Sequence, residues 1–90
     1  MDEGVVLVGE KPFMNYITAL STQFGKGLKQ VFVKARGDHI SKAVHLSMVA
    51  KNKFLNNVII GKVSIDSELF KGRDGNNRIA SSISIELLKK

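Results

Sequence analysis

Val31-Phe32-Val33-Lys34-Ala35-Arg36-Gly37-Asp38-His39-Ile40-Ser41-Lys42-Ala43-Val44 is the stretch on which the fold turns. Up to Arg36 the apolar Val31, Val33 and Ala35 alternate with Phe32, Lys34 and Arg36, the period of two that marks a β-strand. Gly37 closes that strand, and Asp38 is a suitable N-cap for a helix. Ile40, Ala43, Val44 and Ser47 then line one helical face, and Ala50, Lys51 and Phe54 extend the stripe. The hydrophobic period therefore changes from 2 to 3.6 across one glycine, as it does where a strand feeds a helix.

The flanking sequence repeats that grammar. Val5 to Val8 is a β-branched run closed by Gly9 and reads as a buried strand. Pro12 suits a first helical turn, where its missing N–H is not needed. Phe13, Ile17, Leu20 and Phe24 follow at helical spacing, with Gly25 as the expected C-cap. After the Asn56-Asn57 turn, Val58 to Ile60 begins a third strand that Gly61 interrupts as a bulge and Val63 and Ile65 continue. Asp74-Gly75 is a strong turn signal inside the polar run from Lys71 to Arg78. Ile79, Ile83, Ile85 and Leu87 then share one face of a last strand, with Ala80, Ser82, Ser84 and Glu86 on the other. The expectation is an α+β fold of order β-α-β-α-β-β: one four-stranded mixed sheet carrying two helices on one face. A single domain is expected over 1–90. The last two strands are longer than so small a domain needs, so their hairpin reads as an arm, roughly 66–80. On pattern alone a plain, tightly packed hairpin fits nearly as well.

Ninety residues bury only roughly 60% of their extended surface, so a chain this small gains from oligomerisation. Fourteen Lys and Arg against eight Asp and Glu give a net charge of +6, which suits a polyanionic partner. No cysteine is present, which excludes disulfides and thiolate chemistry. The acidic start Met1-Asp2-Glu3-Gly4 and the short run Val5 to Val8 do not read as a signal peptide, and no apolar run has membrane-spanning length. A soluble, cytoplasmic protein without membrane association is expected.

Chemistry concentrates at the two strand-to-helix junctions. A right-handed crossover places both at one end of the sheet. Helix N-termini there offer free N–H groups that suit phosphate, and Lys11, Lys34, Arg36 and Lys42 would make one basic surface. Lys34 and Arg36 fit equally well as the solvent face of an alternating strand. Arg73 and Arg78 flank the last turn, beside Lys71, Asn76 and Asn77. A ribbon so tipped suits a minor groove, or is a solvated loop. His39 and His45 are six apart and do not make a metal pair, Ser41 has no evident base, and no phosphate-loop or dinucleotide fingerprint exists. Asp66 and Glu68 read as solvated carboxylates. No enzyme, metal or cofactor is expected. Phe54 either caps the core or presents an aromatic to another subunit.

The same segments resemble the Alba family of archaeal chromatin proteins. Val5 to Tyr16 is similar to that family's opening strand, Gly-Lys-Lys-Pro loop and Met-Asn-Tyr helix start. Lys34 to Val44 is similar to its Lys-Ala-Arg-Gly-x-x-Ile-Ser-Lys-Ala-Val signature, and Lys53-Phe54-Leu55, Asp74-Gly75 and Lys89-Lys90 also match. The resemblance implies a homodimer, or a heterodimer with a second Alba-type protein, that binds double-stranded DNA with little sequence preference and compacts or coats the chromosome. RNA binding, as in subunits of ribonuclease P-type particles, is the alternative. It assigns nucleic-acid contacts to Lys11, Asn15, Tyr16, Lys34, Arg36 and Lys42 on the body and to Arg73 and Arg78 on the arm. It makes Phe54 a contact between neighbouring dimers and Lys11 the acetylation target. Glu10 and Asp38 depart from the family's basic residues, and His45 from its acid. Binding weaker than that of a relative with Lys and Arg at the first two positions is therefore expected, with a shallower salt dependence in parallel titrations.

Overall fold

The structure is a computed structural model that describes residues 3–90; the part of the acidic start formed by Met1 and Asp2 lies outside it. Strand β1 (Glu3–Leu7) leads to helix α1 (Phe13–Gly25), then β2 (Gln30–Arg36), and a short 3₁₀ turn at Gly37–His39 opens helix α2 (Ile40–Val49). A π turn (Ala50–Phe54) ends that helix, and β3 (Val58–Lys71) and β4 (Asn77–Lys89) complete the chain. The sheet order is β1-β2-β4-β3; β1 and β2 run parallel, and the other neighbours are antiparallel. The expected α+β fold, a four-stranded mixed sheet in the order β-α-β-α-β-β, is the one observed.

Alternation decides which sheet face the helices cover. Val6, Val31, Val33, Ala35, Ile85 and Leu87 point to one side and are buried against Ile17, Leu20 and Phe24 of α1 and Leu46 of α2. Burying each of the larger of these side chains stabilises the fold by roughly 1.5–3 kcal/mol, and Ala35 contributes less. Ala43, Ser47 and Ala50 bring α2 close to the sheet, and the Ser47 hydroxyl donates to Ala43 O at 2.9 Å, so its burial leaves no unmet donor.

Three local expectations change. Gly25 is still helical, and Gly27 takes the left-handed conformation (φ +95°), its N–H bonding to Phe24 O at 3.0 Å. Asp38 caps nothing: Gly37 at φ +59° starts the 3₁₀ turn one residue earlier, so Asp38 sits inside that turn and His39 precedes α2 without a side-chain cap. Val44 lies off the buried stripe, which instead runs through Ala43, Leu46, Ser47 and Ala50.

The bulge expected at Gly61 is present as a register shift between Ile60 and Val63. Its stray Lys62 N–H donates to Glu86 Oε1 at 2.9 Å, and the Gln30 side-chain amide donates to the other carboxylate oxygen. The Lys62 N–H first, and then Gln30, hold the Glu86 carboxyl below its usual range. A Cβ at position 61 would collide with this carboxylate. Gly61→Ala should therefore push Glu86 off Lys62 and cost about 1 kcal/mol in urea unfolding. An unchanged midpoint would show that the staple does not hold the bulge.

Beyond the bulge the β3–β4 ladder continues to the Lys71–Asn77 pair, and the described residues extend 43 × 24 × 21 Å. The chain reverses through Gly72 to Asn76, with Gly75 at φ +84° and Gly72 N–H bonded to Asn76 O at 2.8 Å. Ile79 and Ile83 share the face of Ile85 and Leu87 as expected, yet Ile79 is 76% exposed because no helix reaches that far.

Candidate nucleic-acid interface

The loop from Gly9 to Pro12 is held from below by two side chains. Tyr16, on the first turn of α1, is buried, and its hydroxyl oxygen accepts the backbone N–H of Gly9 (2.8 Å) and of Lys11 (3.1 Å). Lys42 projects from α2, and its ammonium donates to Gly9 O (2.8 Å) and Lys11 O (2.6 Å) while lying 5.0 Å from the Tyr16 ring centroid. Donor and acceptor groups of one short loop are thus fixed from two helices. Lys11, Asn15 and Glu10 are exposed around this clamp.

The second junction joins the first because β1 and β2 are parallel neighbours: Val8 N–H donates to Lys34 O at 2.8 Å, and Leu7 pairs with Lys34. Lys34 is exposed on the uncovered sheet face, 5.8 Å from the Phe32 ring centroid. Arg36 also points to that face, but it is drawn to the arm. Its guanidinium lies 3.6 Å from Glu68 and 4.8 Å from the centroid of the Phe70 ring. Lys11, Asn15, Tyr16 and Lys42 therefore cluster at the clamped loop, Lys34 lies beside them across β1, and Arg36 lies at the root of the arm.

Arg73 and Arg78 are both exposed at the far end of the ribbon, where Arg78 pairs with Asp74 at 2.9 Å. The Asn76 backbone N–H, followed by the Arg78 guanidinium and the Asn76 side-chain amide, holds the Asp74 carboxyl below its usual range. A carboxyl lowered in the folded state supports structure above its unfolded pKa, and that support fades as pH falls through the lower folded value. The tip should therefore loosen only in acid. An NMR titration of the Asp74 carboxyl should give a midpoint below the ordinary 3.8, and a midpoint at or above it would contradict the pairing.

A separate apolar surface is left uncovered. Helix α2 packs mainly on β2 and β4, and its terminal π turn meets β3. Lys42 marks the flank of α2 that faces the Gly9 loop; Val44 and Met48 stand roughly 200° and 240° round the helix from it, on the side towards β3. Val44 (43%), Met48 (42%), Val63 (52%) and Ile65 (82%) are accordingly exposed together on the helix side of the sheet. Phe54, at the end of the π turn, is 47% exposed and so does not cap the core.

Sequence reasoning missed Glu68, Phe70, Glu86 and Gln30. Asp66 and Glu68 read as solvated carboxylates, and nothing local indicated that Arg36 would reach Glu68 and Phe70. His45 lies against Phe13, with ring centroids 5.4 Å apart, and no group of three His, Asp or Glu among the described residues is placed to hold a metal ion. No helix among the described residues is long and apolar enough to cross a membrane.

The profile of the Alba family matches residues 4–67. The chain is 42% identical over 86 residues to the DNA/RNA-binding protein Alba of Methanocella arvoryzae, covering 96% of this chain and 90% of that one. It is 40% identical to DNA/RNA-binding protein Alba 1 of Archaeoglobus fulgidus over the full length of both. Its structure superposes on that of Alba from Thermoplasma volcanium with a TM-score of 0.88 at 36% identity, covering 94% of this chain and 99% of the other. With a profile match over residues 4–67, 40% identity over the full length of a relative and a superposition that covers 94% of its own length, the chain belongs to the Alba family.

Proposed function

We propose that this protein binds double-stranded nucleic acid as a homodimer, with little preference for sequence, and coats or compacts chromosomal DNA in the cytoplasm. The observation that carries this reading is the clamped junction loop, with Lys11 and Lys34 exposed beside it at one end of the parallel β1–β2 pair. Lysines on a rigid backbone meet phosphates without ordering the loop on binding, and phosphate contacts supply most of the affinity of sequence-tolerant binders. The names of the relatives, DNA/RNA-binding proteins, support the same reading.

In this reading Lys11, Asn15, Lys34 and Arg36 face the nucleic acid, and Tyr16 and Lys42 hold the loop that presents them. Arg73 and Arg78 carry the arm towards a flanking minor groove, where Arg is drawn to negative potential. Acetylation of Lys11 would remove one charge from the rim and weaken binding. Phe54 would join neighbouring dimers along the duplex. The apolar surface of Val44, Met48, Val63 and Ile65 supports a two-fold dimer, in which each side chain is covered by the partner. A second Alba-type chain with a similar surface would make a heterodimer. The function requires no catalysis and no cofactor.

RNA is the second reading, because the relatives' names include it and A-form helices offer the same phosphates. Fluorescence-anisotropy titrations with matched DNA and RNA duplexes at several salt concentrations distinguish the two. Salt-steep binding of the DNA duplex is expected; absence of binding to either duplex at low salt would overturn the proposal.

A further inference from the structure

We infer that Glu68 is an internal competitor for the phosphate contact of Arg36, so that the arm itself sets how tightly this surface holds nucleic acid. The inference rests on the binding reading above. Arg36 leaves β2 on the uncovered sheet face, and its guanidinium lies 3.6 Å from Glu68 with the two side chains 52% and 50% exposed. Among the described residues, Glu68 is the one acid within ion-pair distance of Arg36. The guanidinium plane also rests against Phe70, two residues further along the same strand face, at 4.8 Å. Lys34, Arg36, Asp66 and Glu68 line one open groove between β2 and the arm, so a phosphate entering it meets both signs of charge.

A guanidinium cannot use the same donors for a carboxylate and a phosphate. A phosphate that takes the Nη1 donors of Arg36 displaces Glu68, and the cost of that separation is subtracted from the affinity. Because the pair is exposed, the cost is small: roughly 2- to 5-fold in binding for each protomer. Phe70 is not a competitor, since its ring supports the guanidinium from one side and leaves the edge donors free. The neutral variant Glu68→Gln keeps the shape of the side chain and removes the competition.

The test is a double-mutant cycle read by anisotropy with a short DNA duplex. Glu68→Gln should tighten binding about 2- to 5-fold per protomer, and the same substitution in an Arg36→Met background should give only the smaller gain that follows from removing one negative charge from the groove. Asp66→Asn removes an equal charge from the same groove and should give a smaller gain, because Asp66 does not pair with Arg36. The inference is overturned if Glu68→Gln has no effect, gains as much without Arg36, or gains no more than Asp66→Asn. Should the unmodified protein bind no duplex, the binding reading fails, and the Arg36–Glu68 pair is then probed without it. The Arg36 Nε–H resonance should respond to inorganic pyrophosphate at lower concentration in Glu68→Gln than in the unmodified chain, and equal responses would overturn it.

Discussion

Ile65→Asp is expected to convert the proposed dimer to a monomer in sedimentation velocity while changing the thermal unfolding of the isolated chain little. Ile65 is 82% exposed within one protomer, so the substitution removes little beyond its cross-strand contact with Ile83. In a two-fold dimer the residue is covered on both sides of the axis. Burying an isoleucine contributes roughly 1.5–3 kcal/mol, hence about 3–6 kcal/mol for the pair, and the dissociation constant should rise by roughly two to four orders of magnitude. A desolvated carboxylate adds further cost. Duplex binding should weaken as well, and its salt slope should fall by about half, because half of the phosphate contacts are lost with the partner. An unmodified protein that sediments as a monomer, or an Ile65→Asp variant that stays dimeric, would show that Val44, Met48, Val63 and Ile65 face something else.

Tyr16→Phe should be nearly as damaging, at a residue whose ring is buried and whose hydroxyl holds the junction loop. Its oxygen accepts two backbone N–H groups, from Gly9 and Lys11, and the phenylalanine ring fills the same space without offering an acceptor. Two part-buried donors then lose their partner, which costs about 2 kcal/mol of folding stability. Gly9 and Lys11 amides should exchange faster, and affinity for a duplex should fall several-fold, since a mobile loop must be ordered on binding. Urea unfolding, amide exchange and titration report the three effects separately. Unchanged exchange at Gly9 and Lys11 would mean that Lys42 alone holds the loop through its bonds to Gly9 O and Lys11 O.

The two predictions bear on different parts of what was legible. The junction at Arg36-Gly37 could be read because the hydrophobic period changes there, and the turn at Asp74-Gly75 because Gly75 takes a positive φ. Lys26 rather than Gly25 caps α1, with Gly27 at positive φ just beyond it, and Asp38 lies inside a 3₁₀ turn; helix ends are settled by one residue of chain direction, which composition does not encode. Resemblance assigned Tyr16 and Lys42 the same kind of contact as Lys11. In the fold, Tyr16 is buried and Lys42 is bonded to the loop's carbonyls, so both serve the loop first.

The sequence by itself determined the order and type of the elements, the bulge at Gly61, the hairpin turn and the basic character of the chain. These follow from periods of 2 and 3.6 residues and from glycine stereochemistry, which act over a few positions. The tertiary structure alone decided that Arg36 meets Glu68 and Phe70, that Glu86 reaches Lys62, and that Val63 and Ile65 stand uncovered beside α2. Those outcomes depend on the order β1-β2-β4-β3, which puts β4 between β2 and β3 and leaves β3 covered by little more than the π turn at the end of α2. Alternation says which face a side chain takes; only strand order and register say what it finds there.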